Sequence, residues 1–80
     1  MLIEFDSDKR DKCMTERGLD FARAGDVFAA PNVTSEDARA NYGEPRFITV
    51  GWLDSRSVIL VWTPRGEVRS IISIRKTNER

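Results

Sequence analysis

The sequence predicts an α+β fold in which two N-terminal helices pack on a small, mainly antiparallel sheet. Helix caps and helical apolar spacing are confined to the first thirty residues, whereas strand-like apolar segments joined by short turns fill the last third. The predicted order of elements is therefore β-α-α-(β)-β-β-β. A chain of 80 residues predicts one domain, residues 1–80, close to the lower size limit for a self-sufficient core.

The first two elements are a strand and a helix. Residues 2–5 alternate in polarity and predict an edge strand. Asp6 is a suitable N-cap, and Gly18 suits the left-handed position that follows a helix, so we expect a helix over residues 7–17. Its apolar stripe is short, with Cys13 as one of two members. The helix is therefore predicted to lie on the surface or against another molecule.

A second helix is predicted between Asp20, a second N-cap, and Pro31, which ends it. Four apolar residues within this segment have the spacing of a core-facing helical stripe. They are Phe21, Ala24, Val27 and Phe28.

The middle of the chain, residues 32–45, is polar and predicts a loop with a short strand near Val33. Strands are predicted over residues 47–52 and 58–62, with a turn at residues 54–56 between them. The segment 58–62 is apolar without interruption, which favours a central strand covered on both faces.

The last hairpin is predicted from residues 63–66, Thr-Pro-Arg-Gly, which have proline and glycine where a tight turn favours them. The strand that follows has a period of two. This period places Arg69, Ser73 and Arg75 on one face and the aliphatic side chains on the other. Arg69 and Arg75 are then roughly 20 Å apart, a separation that suits contacts along several nucleotides.

Charge is distributed unevenly along the chain. Residues 46–80 carry seven basic and three acidic side chains, a balance of +4, whereas residues 1–45 carry six basic and ten acidic ones. A basic sheet face on a small protein favours an anionic polymer, most simply nucleic acid, as partner. The alternative is a solvated face whose arginines pair with Glu67 or Asp54, and the sequence leaves both readings open.

Several kinds of site are not expected. The chain has no histidine and one cysteine, so neither a Ser-His-Asp set, nor an internal disulfide, nor a histidine zinc site is available. We expect no cofactor and no metal, and Cys13 is interpreted as a small, semi-buried side chain. No apolar run approaches the ~20 residues of a membrane span, and the N-terminus does not resemble a secretory signal. The predicted location is the cytoplasm.

Ribonuclease chemistry remains possible without metal or histidine. The 2′-hydroxyl attacks the neighbouring phosphorus, and preorganised arginines stabilise the added negative charge. Glu67 is the candidate proton acceptor. Trp52 and Trp62 each lie an even number of residues from the 54–56 turn and are predicted to pair across strands, with core packing favoured and base stacking as the alternative.

The pattern of residues resembles the BrnT family of toxins, which are RelE-like ribonucleases of type II toxin–antitoxin modules. The resemblance covers nearly the whole chain, and its most specific part is RSIISIRK, residues 69–76, after an R-G turn. The earlier matching positions are Phe5, Asp6, Lys9, Gly18, Phe21, Ala24, Val27, Phe28, RFITVG at 46–51 and VWTPRG at 61–66.

The resemblance implies a RelE-like α+β toxin that cleaves RNA and is neutralised by a ribbon-helix-helix antitoxin similar to BrnA. Operator DNA would be bound only through that antitoxin. The predicted catalytic residues are Arg65, Arg69, Arg75 and Glu67, and the predicted RNA-binding residues are Arg46, Lys76 and Ser73.

The sequence departs from the family at three places. Glu16-Arg17-Gly18 stands where members commonly have Lys-His-Gly, Trp62 stands for a histidine, and Cys13 stands for an asparagine. The alternative hypothesis is therefore a catalytically degenerate, toxin-like module that binds its antitoxin without cleaving RNA. A protein that binds DNA alone is less favoured, because no helix combines polar base-facing residues with a basic flank.

Overall fold

The computed structural model describes residues 2–39, 41 and 43–77, and shows an α+β fold. Its five-stranded sheet has the order β1-β5-β4-β3-β2. β1 runs parallel to β5 and the other neighbours are antiparallel, so the sheet is mixed. Glu79 and Arg80, which enter the charge balance above, lie outside the described residues. The elements are β1 Leu2–Phe5, α1 Ser7–Arg17, a 3₁₀ turn Phe21–Arg23, α2 Ala24–Ala29, β2 Val33–Glu36, β3 Phe47–Leu53, β4 Arg56–Arg65 and β5 Val68–Lys76.

The predicted caps of α1 are confirmed. The Asp6 carboxylate accepts hydrogen bonds from the backbone N–H groups of Asp8 and Lys9 at 2.8 and 3.2 Å. Gly18 ends the helix in the left-handed conformation, with φ +69°. α1 lies beside the second half of β5, where the carbonyl of Ile74 accepts from the thiol of Cys13 at 3.6 Å. A strand carbonyl points along the plane of its sheet, so α1 covers an edge rather than a face.

The second helix is shorter than predicted. Asp20 caps it by accepting from the Ala22 N–H at 2.9 Å, but the first turn is a 3₁₀ turn and α2 itself has six residues. Its apolar stripe packs on the sheet as expected, with Ala24 and Val27 fully buried. Gly51 of β3 permits this approach, because a Cβ at that position would lie 2.7 Å from a Val27 methyl group.

We call the side of the sheet that carries α2 the helix face and the opposite side the open face. On the central strand β4, Leu60 and Trp62 point to the helix face and are buried, whereas Ile59 and Val61 on the open face are only half-buried. No helix of the described residues packs on the open face. The expectation that this strand is covered on both faces is therefore wrong.

A β-bulge changes the facing of β5. Ile71 is opposite Trp62, but Ser73 is opposite Val61, so Ile72 is an extra residue in the ladder. One inserted residue reverses the side to which every later side chain points. Ile71 and Ile74, three positions apart, consequently both point into the core.

The β4–β5 turn also differs from the prediction. β4 continues through Thr63, Pro64 and Arg65, and the chain turns at Gly66 and Glu67 instead. The pairing of β3 with β4 ends opposite Trp62, so Pro64 has a strand neighbour on one side only. A sheet tolerates the missing N–H of proline at such a position.

Candidate nucleic-acid interface

The bulge separates the two arginines that were predicted to share a face. Arg69 precedes it and points to the helix face, where its guanidinium carbon lies 4.3 Å from the ring centroid of Phe28 and 4.8 Å from that of Trp62. Arg75 follows the bulge and is opposite Ile59, on the open face. The predicted common face is therefore wrong, and Arg69 has a contact within the fold.

Arg75 and Ser73 lie on the open face, as neighbours of half-buried aliphatic side chains of β4. Arg75 is exposed, and within the described part of the chain its guanidinium has no ion pair. A guanidinium that is exposed in this way can donate two parallel hydrogen bonds to a phosphate.

Arg46 and Arg65 come together at the end of the sheet that contains the β4–β5 turn, which we call the hairpin end. Arg65 is exposed and its Nη2 lies 3.6 Å from Oε1 of Glu44, a surface ion pair that contributes little to stability. Both arginines line one cavity, which the sequence did not predict. Its other polar side chains are Glu4, Asp6, Lys9, Glu44 and Ser70.

The remaining two predicted residues lie at opposite ends of the sheet. Glu67 is exposed in the β4–β5 turn, two positions after Arg65. Lys76 ends β5 at the other end of the sheet, near the turn that joins β3 to β4. The predicted site residues therefore form two groups, one at each end, instead of a single cluster.

The two tryptophans do not pair. Trp62 is opposite Phe47 and its ring stacks on that side chain at a centroid distance of 5.1 Å. Its indole N–H donates to Oγ1 of Thr49 at 2.8 Å in the core. Trp52 is opposite Ser57 and is 57% exposed on the open face. Core packing thus accounts for Trp62 alone.

Asp54 pairs with Arg23 rather than with an arginine of β5, although it also interacts electrostatically with Arg56 at the start of β4. Its carboxylate accepts hydrogen bonds from Nη1 and Nη2 of Arg23, which join the β3–β4 turn to the 3₁₀ turn. These hydrogen bonds lower the pKa of Asp54. The acid that the sequence offered as a partner for the basic strand is therefore engaged on the other side of the sheet.

Comparison with known proteins then identifies the family. A family model described as "Ribonuclease toxin, BrnT, of type II toxin-antitoxin system" matches residues 5–80. The chain belongs to the BrnT toxin family. A search of curated proteins found no match. Membership in a type II toxin family implies an antitoxin partner.

The departures from the BrnT pattern have defined places in the structure. Arg17, which replaces the expected histidine, donates from Nη1 to the Ile74 carbonyl at 3.0 Å. Trp62, which replaces a second expected histidine, is buried beneath Arg69. Both replacements make contacts that hold elements together.

Two further features of this BrnT chain concern metals and membranes. Among residues 2–39, 41 and 43–77, no three carboxylate or cysteine side chains are arranged to hold a metal ion. In the same part of the chain, no helix is long and apolar enough to cross a bilayer.

Proposed function

We propose that this chain is the toxin of a type II toxin–antitoxin module and cleaves RNA in the cytoplasm without a metal ion. The observation that best supports this, beside the family match, is a sheet face on which no described helix packs and which presents exposed Arg75. A guanidinium that has no ion pair to the described residues and lies on an uncovered strand surface suits a flexible, polyanionic ligand.

The two groups of predicted residues suggest two roles, one in catalysis and one in binding the RNA. The scissile phosphate binds at the hairpin end, where Arg46 and Arg65 line one cavity and Glu67 follows two positions later. The 2′-hydroxyl attacks the adjacent phosphorus and forms a 2′,3′-cyclic phosphate, Glu67 accepts the proton of the hydroxyl, and the 5′-oxygen leaves and is protonated by water. Arg65 stabilises the additional negative charge of the transition state.

The other group holds the flanking strand. Arg75 and Ser73 contact phosphates across the open face. Lys76 is opposite the buried Val58 and leaves β5 on the helix face, so its contact with RNA stays a prediction. Arg69, whose catalytic role stays a prediction, is too closely associated with Trp62 and Phe28 to be exchanged without affecting the fold.

This division predicts different kinetic effects for the two groups. With purified protein, labelled RNA and excess chelator, Arg65→Ala should lower kcat by about 10²–10³. Arg75→Ala should mainly raise KM, because it removes a contact made equally in the ground and transition states. Lys12→Ala, on exposed α1, is the matched control and should cleave like the wild type.

Two results would contradict the proposal: an Arg65→Ala protein that retains full kcat, or cleavage by the wild type that the chelator abolishes. The unfolding midpoints of the variants are compared with that of the wild type, so that a loss of kcat through unfolding is distinguished from a loss of catalysis.

We further propose that the antitoxin is a ribbon-helix-helix protein similar to BrnA, and that the complex binds operator DNA through it. Co-expression of such a protein should restore growth to cells arrested by this chain. The isolated chain should leave duplex operator DNA unshifted in a gel, and the complex should shift it.

The second candidate is a catalytically degenerate toxin that binds its antitoxin and cleaves nothing. Exposed apolar side chains on the open face favour it, since Val33 is 74% exposed and Val50 is 40% exposed. A folded wild-type chain that forms the antitoxin complex but leaves every tested RNA intact would select this candidate.

A further inference from the structure

Trp52 lies in a groove between the β3–β4 turn and the end of β5. The indole is 57% exposed, although the residues on either side of it in the strand, Gly51 and Leu53, are buried. Its partner across the ladder is the small side chain of Ser57. The core therefore does not explain a tryptophan here. The groove is lined by Trp52, Ser55, Arg56, Ser57, Lys76 and Thr77.

The described residues that line the groove include no carboxylate. Arg56 and Lys76 border it, but Arg56 is opposite the buried Leu53 and Lys76 is opposite the buried Val58, so both side chains leave their strands on the helix face. On the same face as the indole, the groove presents the hydroxyl group of Ser57.

The groove is continuous with the open face used by Arg75. Arg75, Ile59 and Val50 lie in one row across β5, β4 and β3, and Trp52 is two residues further along β3 on the same face. Two strand spacings of ~4.8 Å and two residues of ~3.3 Å place the Cα atoms of Trp52 and Arg75 about 12 Å apart. Their side chains can thus reach neighbouring nucleotides of one strand.

We propose that the Trp52 groove is a base-stacking subsite for single-stranded RNA, in which a base lies on the indole and Arg75, on the same face of the sheet, contacts a neighbouring phosphate. The inference rests on the proposed function, since it takes RNA as the ligand. An exposed aromatic ring with arginine or lysine beside it is the general arrangement by which proteins hold unpaired bases. It assigns a binding role to Trp52, which the predicted RNA-binding set did not contain.

Binding can be measured apart from cleavage with a labelled 12-mer of 2′-O-methyl RNA, which lacks the attacking hydroxyl. Trp52→Leu should weaken binding by about 10- to 100-fold, the range expected for one lost base stack. Trp52→Phe should retain most of the affinity, because it keeps an aromatic face. Val33→Ala removes another exposed apolar side chain of the open face and should bind within twofold of the wild type.

Intrinsic fluorescence gives a second measurement on the same complex. Trp62 is buried, so quenching of tryptophan emission by the 12-mer should come from Trp52 and should be absent in Trp52→Phe. An unchanged affinity of Trp52→Leu, or an equal loss in Val33→Ala, would overturn the stacking subsite. The subsite would also be overturned by a Trp52→Leu protein that binds RNA normally but no longer binds its antitoxin.

Failure of the inference is distinguishable from failure of the proposed function. If the wild type cleaves unmodified RNA while Trp52→Leu binds the 12-mer normally, only the subsite is wrong. If the wild type neither cleaves RNA nor binds the 12-mer, both are wrong.

Discussion

Replacing Arg69 with alanine should destabilise the protein, because this arginine is part of the helix face. Its guanidinium lies over two rings, Phe28 of α2 and Trp62 of β4, at 4.3 and 4.8 Å. Cation–π contacts contribute about 0.5–1 kcal/mol when exposed and ~2 kcal/mol when desolvated. Because Arg69 is half-buried, we expect Arg69→Ala to lower the free energy of unfolding by about 1–2 kcal/mol.

Arg75→Ala is the matched control, since it removes the same side chain from the same strand on the opposite face. An exposed arginine without an ion pair to the described residues should change the free energy of unfolding by less than about 0.5 kcal/mol. Arg69→Lys keeps the charge but loses the flat stacking surface, so its stability should fall between those of the wild type and Arg69→Ala.

The assay is urea unfolding of the purified variants, with thermal unfolding as a check. For a domain of this size, the loss in Arg69→Ala corresponds to a fall in Tm of roughly 5–15 °C. Equal stabilities of Arg69→Ala and the wild type would refute the reasoning. So would an Arg75→Ala protein as unstable as Arg69→Ala, because the bulge would then not separate the two side chains.

Two other predictions concern stability. Gly51→Ala should lower the free energy of unfolding by about 1–3 kcal/mol, because the added Cβ would lie 2.7 Å from a Val27 methyl group. Gly25→Ala is the control: its Cβ would have no atom within 4 Å, so the free energy of unfolding should rise by up to about 1 kcal/mol. An unchanged stability of Gly51→Ala in urea titrations would contradict the close approach of α2 to β3. The hydrogen bond from Arg10 lowers the pKa of Asp20, so its stabilisation should be complete above the unfolded pKa of ~3.9 and be lost as the pH falls through the lower folded value. The gap in unfolding free energy between wild type and Asp20→Asn should therefore narrow below pH 4, and a constant gap down to pH 2 would count against this ion pair.

Local signals in the sequence were sufficient for most of the fold. Asp6 and Gly18 mark the ends of α1 because caps act within a few residues. Alternation along the outer strands and the uninterrupted apolar segment 58–62 identified the strands. The prediction for β5 was wrong because a bulge is a property of two strands together. Nothing in the segment RSIISIRK indicates that Ile72 has no opposite residue on β4. The period of two then fails from that residue onward.

The candidate site was predictable by residue type but not by position. The sequence indicated basic strands, and the structure distributes their arginines between two ends and two faces of the sheet. An even spacing from the turn did not separate Trp52 from Trp62 either, because the register places Trp52 opposite Ser57 on the open face and Trp62 opposite Phe47 on the helix face. Phe47 and Thr49 enclose only Trp62, whereas Trp52 stays exposed.

The central claim is that RNA lies on the open face, and methyl NMR tests it most directly. The 2′-O-methyl 12-mer should shift the methyl resonances of Val50, Ile59 and Val61 and leave those of Val27 and Leu60 unchanged. Shifts confined to Val27 and Leu60 would place the ligand on the helix side and contradict the account.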